Sequence, residues 1–216
     1  MSKYKIVVFD LDGTILDTLE DLKESLDYAL SVYHFSTHSI NEVRSYVGNG
    51  IRRLLERALP DGTPAATMDE VHSAFSEFYS IHCMDNTHPY PGICSLLQTL
   101  RENGYSIAVL SNKPETEVSK LVFRYFEGLF DVVIGERPAL LKKPAPDGVN
   151  EIIKCLAGQK EDVIYIGDSE VDLATARNAG VDCISVEWGF RDHDFLVSHG
   201  ATTLVDSTDT LLQLLI

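Results

Sequence analysis

Five short apolar runs rich in β-branched residues punctuate the chain: Ile6 to Phe9, Ser106 to Leu110, Val132 to Ile134, Val163 to Ile166 and Cys183 to Val186. Each predicts a parallel strand buried on both faces. Between them, apolar positions recur at helical spacing over Ile93 to Glu102, Pro114 to Phe126, Pro146 to Leu156 and Val171 to Asn178. Glycines placed as helix stops follow the first, third and fourth of these, at Gly104, Gly158 and Gly180. Strands alternating with helices predict an α/β fold, a three-layer Rossmann-like core around a parallel sheet. Ligands of such sheets bind at the C-terminal ends of the strands.

One stretch breaks the alternation. From Asp17 to Asn86, Leu19, Leu22, Leu26 and Leu30 recur at helical spacing. So do Ile51, Leu54, Leu55, Ala58 and Leu59, and then Val71, Phe75, Phe78 and Tyr79. This predicts a small helical cap, residues 17–86, inserted after the first strand of a core made of residues 1–16 and 87–216. Its exit, Thr87-His88-Pro89-Tyr90-Pro91-Gly92, has two prolines and a glycine, which suit a stiff hinge.

Composition narrows the setting. With 216 residues the chain is long enough to bury a sizeable core, and no apolar run approaches the roughly 18 residues of a membrane helix. Two lysines precede the first apolar run, as in a signal peptide, but the run is short and Asp10 interrupts it. A buried strand and cytoplasmic residence are therefore expected. Cys83, Cys94, Cys155 and Cys183 are scattered without a metal-binding spacing and are expected to be small core or surface residues. The net charge of −15 removes the electrostatic footprint of nucleic-acid binding, and it obliges any anionic substrate to be held by a local cation, a lysine or backbone N–H groups.

Candidate chemistry lies where the predicted strands end. Asp10 and Asp12 follow the first strand, and Gly13-Thr14 turns the chain. Residues two apart share one side of a strand, and two carboxylates so close repel unless a cation or a proton intervenes, so a divalent ion is implied. Ser111-Asn112-Lys113-Pro114 ends the second strand and reads either as a phosphate-binding turn or as an ordinary N-cap. Lys143 precedes a proline-stiffened helix start and suits a phosphoryl oxygen, with Lys142 as its competitor. After the fourth strand, Gly167-Asp168-Ser169-Glu170-Val171-Asp172 supplies a further acid, Asp168, to complete a Mg²⁺ site. Asp172 is placed to orient Lys143 or a metal-bound water, and Glu170 is expected to face solvent or cap the helix.

These segments, DLDGT, SNK, KKPAP and GDSEVD, resemble in order and spacing the four motifs of the haloacid dehalogenase superfamily, over essentially the whole chain. The resemblance implies that Asp10 is the nucleophile and Asp12 the general acid/base, whose backbone carbonyl also binds Mg²⁺. It further implies that Thr14, Ser111, Asn112 and Lys143 contact the phosphoryl group, and that Asp168 is a metal ligand with Asp172 behind it. The superfamily's dehalogenases lack the second aspartate, so Asp12 points to phosphoryl transfer.

Within the insertion, Tyr46 to Leu59 resembles the cap segment of phosphoglycolate phosphatases. Paired glycines opening a helix, with Arg52 or Arg53 nearby, suit a small carboxylate. The expected partner is thus a small phosphorylated metabolite, 2-phosphoglycolate first, with no nucleic acid or membrane, and the protein is expected as a monomer or homodimer. A pyrophosphatase, a β-phosphoglucomutase-like phosphotransferase and a non-enzymatic regulator on the same scaffold are the alternative readings.

Overall fold

The computed structural model describes residues 3–216. In chain order its elements are β1 (Ile6–Phe9), β2 (Leu16–Asp17), α1 (Leu19–Val32), α2 (Ile40–Tyr46), α3 (Ile51–Ala58), α4 (Ala65–His82) and β3 (His88–Pro89). There follow α5 (Ile93–Glu102), β4 (Ser106–Pro114), α6 (Glu115–Phe126), β5 (Val132–Glu136), α7 (Asp147–Cys155) and β6 (Val163–Gly167). The chain ends with α8 (Glu170–Ala179), β7 (Asp182–Val186), α9 (His193–Ser198), β8 (Leu204–Val205) and α10 (Thr208–Leu215). It divides into two compact units, one formed by residues 1–16 and 89–216 and the other by Asp17–His88.

The first unit is the expected α/β fold. Six strands pair in the order β5-β4-β1-β6-β7-β8, every pair parallel. The side chains of β1 alternate between two cores. Val7 and Phe9 pack with Leu96 and Leu100 of α5, Val118 and Leu121 of α6, and Leu211 of α10. Ile6 and Val8 pack with Val149 and Ile152 of α7 and Ala176 and Ala179 of α8. The period of two along a strand thus clothes both faces with helices, which is why the strands read as continuous apolar runs. Connections from β1 run to β4 and β5 on one side and return to β6, β7 and β8 on the other, so the chain reverses direction at β1. Such a reversal opens a crevice beyond the strands' C-terminal ends.

One boundary that differs from the sequence expectation bears on the site. β4 does not end at Leu110 but continues to Pro114, with its register against β5 shifting between Leu110 and Pro114. Ser111 and Asn112 therefore lie in this strand extension. The N-cap of α6 is Pro114, which offers no side-chain cap, so the N-cap reading of Ser111 and Asn112 is set aside. The C-terminal elements β8 and α9 are too short to show a period, and α10 is not among the expected helices.

Apart from Asp17 of β2 and His88 of β3 at its two ends, the second unit is helical, α1 to α4. Leu22, Leu26, Ala29 and Leu30 of α1 and Val71, Phe75 and Tyr79 of α4 are buried. Asp21 ties the unit together at its start and end: its Oδ1 accepts from Asn86 N and its Oδ2 from Thr87 N and Oγ1. α2, which the leucine pattern does not show, starts in a capping box between Ser39 and Glu42. Among the described residues no helix is long and apolar enough to cross a membrane.

Candidate active site

Asp10 is the first residue beyond β1, at the middle of the sheet, and is 7% exposed. Its Oδ1 accepts from the backbone N of Leu11 at 2.7 Å and pairs with Lys143 Nζ at 2.8 Å. Its Oδ2 has no protein donor among the described residues. The following turn is sharp: the carbonyl of Leu11 accepts from the N–H groups of Thr14, Ile15 and Leu16, with Gly13 at φ +84°. Leu11 is wholly buried, anchoring the turn to the core.

Lys143 is the electrostatic hinge of the site. Its ammonium, 3% exposed, lies 2.8 Å from Asp10 and 2.7 Å from Asp172 Oδ1. Burial alone would lower its pKa, but the two carboxylates outweigh burial and raise it, so the lysine is charged. Its competitor Lys142 instead pairs with Glu136 at 2.6 Å, half out in solvent.

Asn112 commits its amide to this lysine. Its Oδ1 accepts from Lys143 N at 2.8 Å, and its Nδ2 donates to Lys143 O at 3.0 Å. It thereby positions the Lys143 segment. Ser111 Oγ accepts from Lys113 N at 3.2 Å, leaving its hydroxyl proton for another acceptor.

Asp168 is the first residue beyond β6, and the first turn of α8 supplies Asp172. Asp172 is saturated: Oδ1 accepts from Lys143 and from Tyr165 Oη, and Oδ2 from Ser169 N and Oγ. Asp168 accepts from Phe190 N at 2.7 Å on Oδ2 and from Thr14 Oγ1 at 3.3 Å on Oδ1. Thr14 is fully buried, with its hydroxyl given to Asp168. Glu170 neither faces solvent freely nor caps α8 by a side-chain bond, since its carboxylate pairs with Arg191 Nε at 3.0 Å.

Carboxylate oxygens of Asp10, Asp168 and Asp172 lie within 4.8 Å of one another. One ammonium faces these three buried acids. Burial first, and then repulsion from Asp172, push Asp10 well above the usual carboxylate range and Asp168 up to about 7. An all-oxygen donor set with too little positive charge, and with an oxygen of Asp10 lacking a partner, fits a hard divalent cation. Asp12 stands apart from this cluster. Its carboxylate pairs with Lys113 Nζ at 2.7 Å, the lysine being 3% exposed, so Lys113 and not a shared cation answers its charge. Sequence reasoning passed over Lys113, because a lysine inside a motif carries no signal of its partner.

In the helical unit, Gly50 at φ +84° is the N-cap of α3, and Gly48 precedes it at φ +118°. Asn49 Nδ2 between them is buried without an acceptor. Arg52 is half exposed and pairs with Asp69 at 2.9 Å, and Arg53 pairs with Glu56 at 2.6 Å.

The sequence pattern that defines the haloacid dehalogenase-like hydrolases matches residues 7–186, from β1 through β7. The chain belongs to this family. It is a haloacid dehalogenase-like phosphatase, a phosphoric monoester hydrolase. Among its relatives, phosphoglycolate phosphatase 1 of Pseudomonas aeruginosa is 32% identical over 215 residues, covering 96% of this chain and 78% of that one. The phosphoglycolate phosphatase of Aquifex aeolicus is 30% identical over 192 residues, covering 86% of each. The crystal structure of a provisionally named phosphoglycolate phosphatase from Lactobacillus delbrueckii subsp. bulgaricus superposes with a TM-score of 0.94. It is 36% identical and covers 99% of both chains. In this haloacid dehalogenase-like phosphatase, then, the buried carboxylates gather at the strand ends where β1 and β6 meet.

Proposed function

We propose that this phosphatase is Mg²⁺-dependent and hydrolyses a small phosphate monoester, 2-phosphoglycolate, through an aspartyl-phosphate on Asp10. The observation that carries the chemistry is the asymmetry of Asp10: Oδ1 is held by Leu11 N and Lys143, while Oδ2 has no protein donor. A carboxylate fixed by one oxygen and free at the other is a positioned nucleophile.

Asp10 Oδ2 attacks phosphorus and the phosphorus–ester oxygen bond breaks, leaving the phosphoryl group on Asp10. Lys143 and the Ser111 hydroxyl stabilise negative charge on the transferring oxygens. Asp12 enters this step protonated, with Lys113 still donating to its other oxygen. It gives its proton to the departing alkoxide, then takes one from the water whose oxygen displaces Asp10 from phosphorus and releases inorganic phosphate. Asp10 and Asp168 would hold the divalent cation, which when bound supplies the positive charge that keeps these buried acids ionised and screens the phosphoryl oxygens. Asp172 holds Lys143 in place.

Selection of the ester is proposed to reside in the helical unit Asp17–His88, acting as a lid that excludes bulk water. The support within that unit is the orphaned Asn49 amide between two glycines and the guanidinium of Arg52 in the first turn of α3. Both are hydrogen-bond donors of the kind that a small carboxylate takes. The relatives named phosphoglycolate phosphatase support the same ester. A substrate panel with MgCl₂ tests the reading. Phosphoglycolate should be cleaved with the highest kcat/KM and no turnover should remain with EDTA. A preference for pyrophosphate, or isomerisation of glucose-1-phosphate, would replace it.

A further inference from the structure

We propose that the segment Trp188-Gly189-Phe190, just beyond β7, is a positioning clamp for the Asp168 carboxylate and a determinant of divalent-cation affinity. The clamp has three parts. Phe190 donates its backbone N–H to Asp168 Oδ2 at 2.7 Å. Trp188 Nε1 donates to the carbonyl of Thr14 at 3.0 Å, tying the segment to the turn that follows Asp10. Gly189 presents its bare Cα face to Asp168: a Cβ there would stand 2.3 Å from Asp168 Cβ, 2.6 Å from its Oδ2 and 2.4 Å from the carbonyl of Gly13.

Gly13 closes the other side, since a Cβ on it would lie 2.4 Å from Asp168 Oδ2. The carboxylate is therefore wedged between two glycines from distant parts of the chain. Oδ2 is fixed by a main-chain donor, and Oδ1, with Thr14 as its donor at 3.3 Å, is the less committed oxygen. A contact below 3.0 Å with backbone and with a held carboxylate cannot be relieved by rotating a flexible side-chain end. Any side chain at position 189 must displace Asp168 or the Gly13 turn.

Partners that orient a metal ligand are worth about tenfold to a hundredfold in metal affinity. The inference rests on the reading that Asp168 holds a cation, so the test separates the two. Trp188 is the sole tryptophan of the chain and touches the site, so its fluorescence can follow a titration with MgCl₂ alone, alongside calorimetry. Gly189→Ala should weaken Mg²⁺ binding by about tenfold or more while far-UV circular dichroism is unchanged. Gly158→Ala places a Cβ 2.3 Å from Ile6 Cδ1 in the core behind α7 and serves as the control. It should leave Mg²⁺ affinity alone, with the Ile6 side-chain end turning aside at little cost in Tm. If Gly189→Ala does not fold, Trp188→Phe, which removes the indole donor, should weaken Mg²⁺ binding by calorimetry. Unchanged Mg²⁺ affinity in the folded Gly189 variant, or in Trp188→Phe if that variant replaces it, overturns the clamp and leaves the metal reading intact. Absence of Mg²⁺ binding by the unaltered protein overturns the metal reading, and the clamp with it.

Discussion

At their candidate functional residues the two units treat charge in opposite ways. In the α/β unit, Asp10, Asp168, Asp172 and Lys143 are buried within a few ångströms of one another, and each contact is shared with backbone donors or aromatic hydroxyls. In the helical unit, Arg52 and Arg53 lie at the surface in pairs with Asp69 and Glu56. Buried charges must be compensated and are costly to disturb, whereas exposed pairs contribute little and rearrange readily. On the proposed reading, the first unit carries the fixed chemistry and the second the adjustable recognition. Substitutions should separate the two sharply.

The largest effect is expected at Asp10. Asp10→Asn should lower kcat by about 10⁴-fold or more while the fold survives, checked by steady-state phosphate release and circular dichroism. Lys143→Met should come next, lowering kcat about 10²- to 10³-fold. It should also destabilise the metal-free protein by about 3–5 kcal/mol, because Asp10 and Asp172 lose the buried ammonium they share. Urea denaturation measures that loss, and a loss confined to activity would break the contrast between the units.

A third expectation concerns pH. Asp168 has its pKa raised from 3.8 to about 7 in the folded, metal-free protein, by burial and by Asp172. Its contribution to stability is thus complete below pH 3.8 and lost as pH rises through about 7. Asp10 is shifted in the same direction. Saturating MgCl₂ opposes that loss, so the rise in Tm that it produces should be larger near about pH 8 than near about pH 5. An equal rise at both would show that the cation binds elsewhere.

The smallest effects belong to the helical unit. Arg52→Ala and Arg53→Ala should leave Tm within about a degree or two, as surface changes do, and Asn49→Ala should lose little Tm because its buried amide nitrogen makes no hydrogen bond to give up. They should raise KM for phosphoglycolate about three- to tenfold, and more than for p-nitrophenyl phosphate. Equal effects on both substrates would remove the recognition role from these residues.

Legibility in the sequence followed the same divide. The parallel sheet was visible because strands buried on both faces leave unbroken apolar runs, and Asp10, Lys143, Asp168 and Asp172 were visible because each follows such a run or opens the next helix. Contacts between distant segments were not. The pairing of Lys113 with Asp12, the commitment of Asn112 to the Lys143 backbone and the approach of Gly189 to Asp168 depend on which strand ends become neighbours. No local pattern encodes that adjacency. The two-residue strand β8 and the short helix α9 escaped notice because they are too brief to show a period.

The central claim is that the α/β unit forms a covalent phosphoryl adduct on Asp10, and chemical trapping tests it most directly. The protein would be acid-quenched during turnover of p-nitrophenyl phosphate with MgCl₂, reduced with borohydride, which attacks acyl phosphates, and digested for peptide mass spectrometry. The expected result is reduction at position 10 only when substrate and Mg²⁺ are both present, with Asp12 untouched. Continued turnover with Asp10 unreduced, or reduction at Asp12 in its place, would contradict the account.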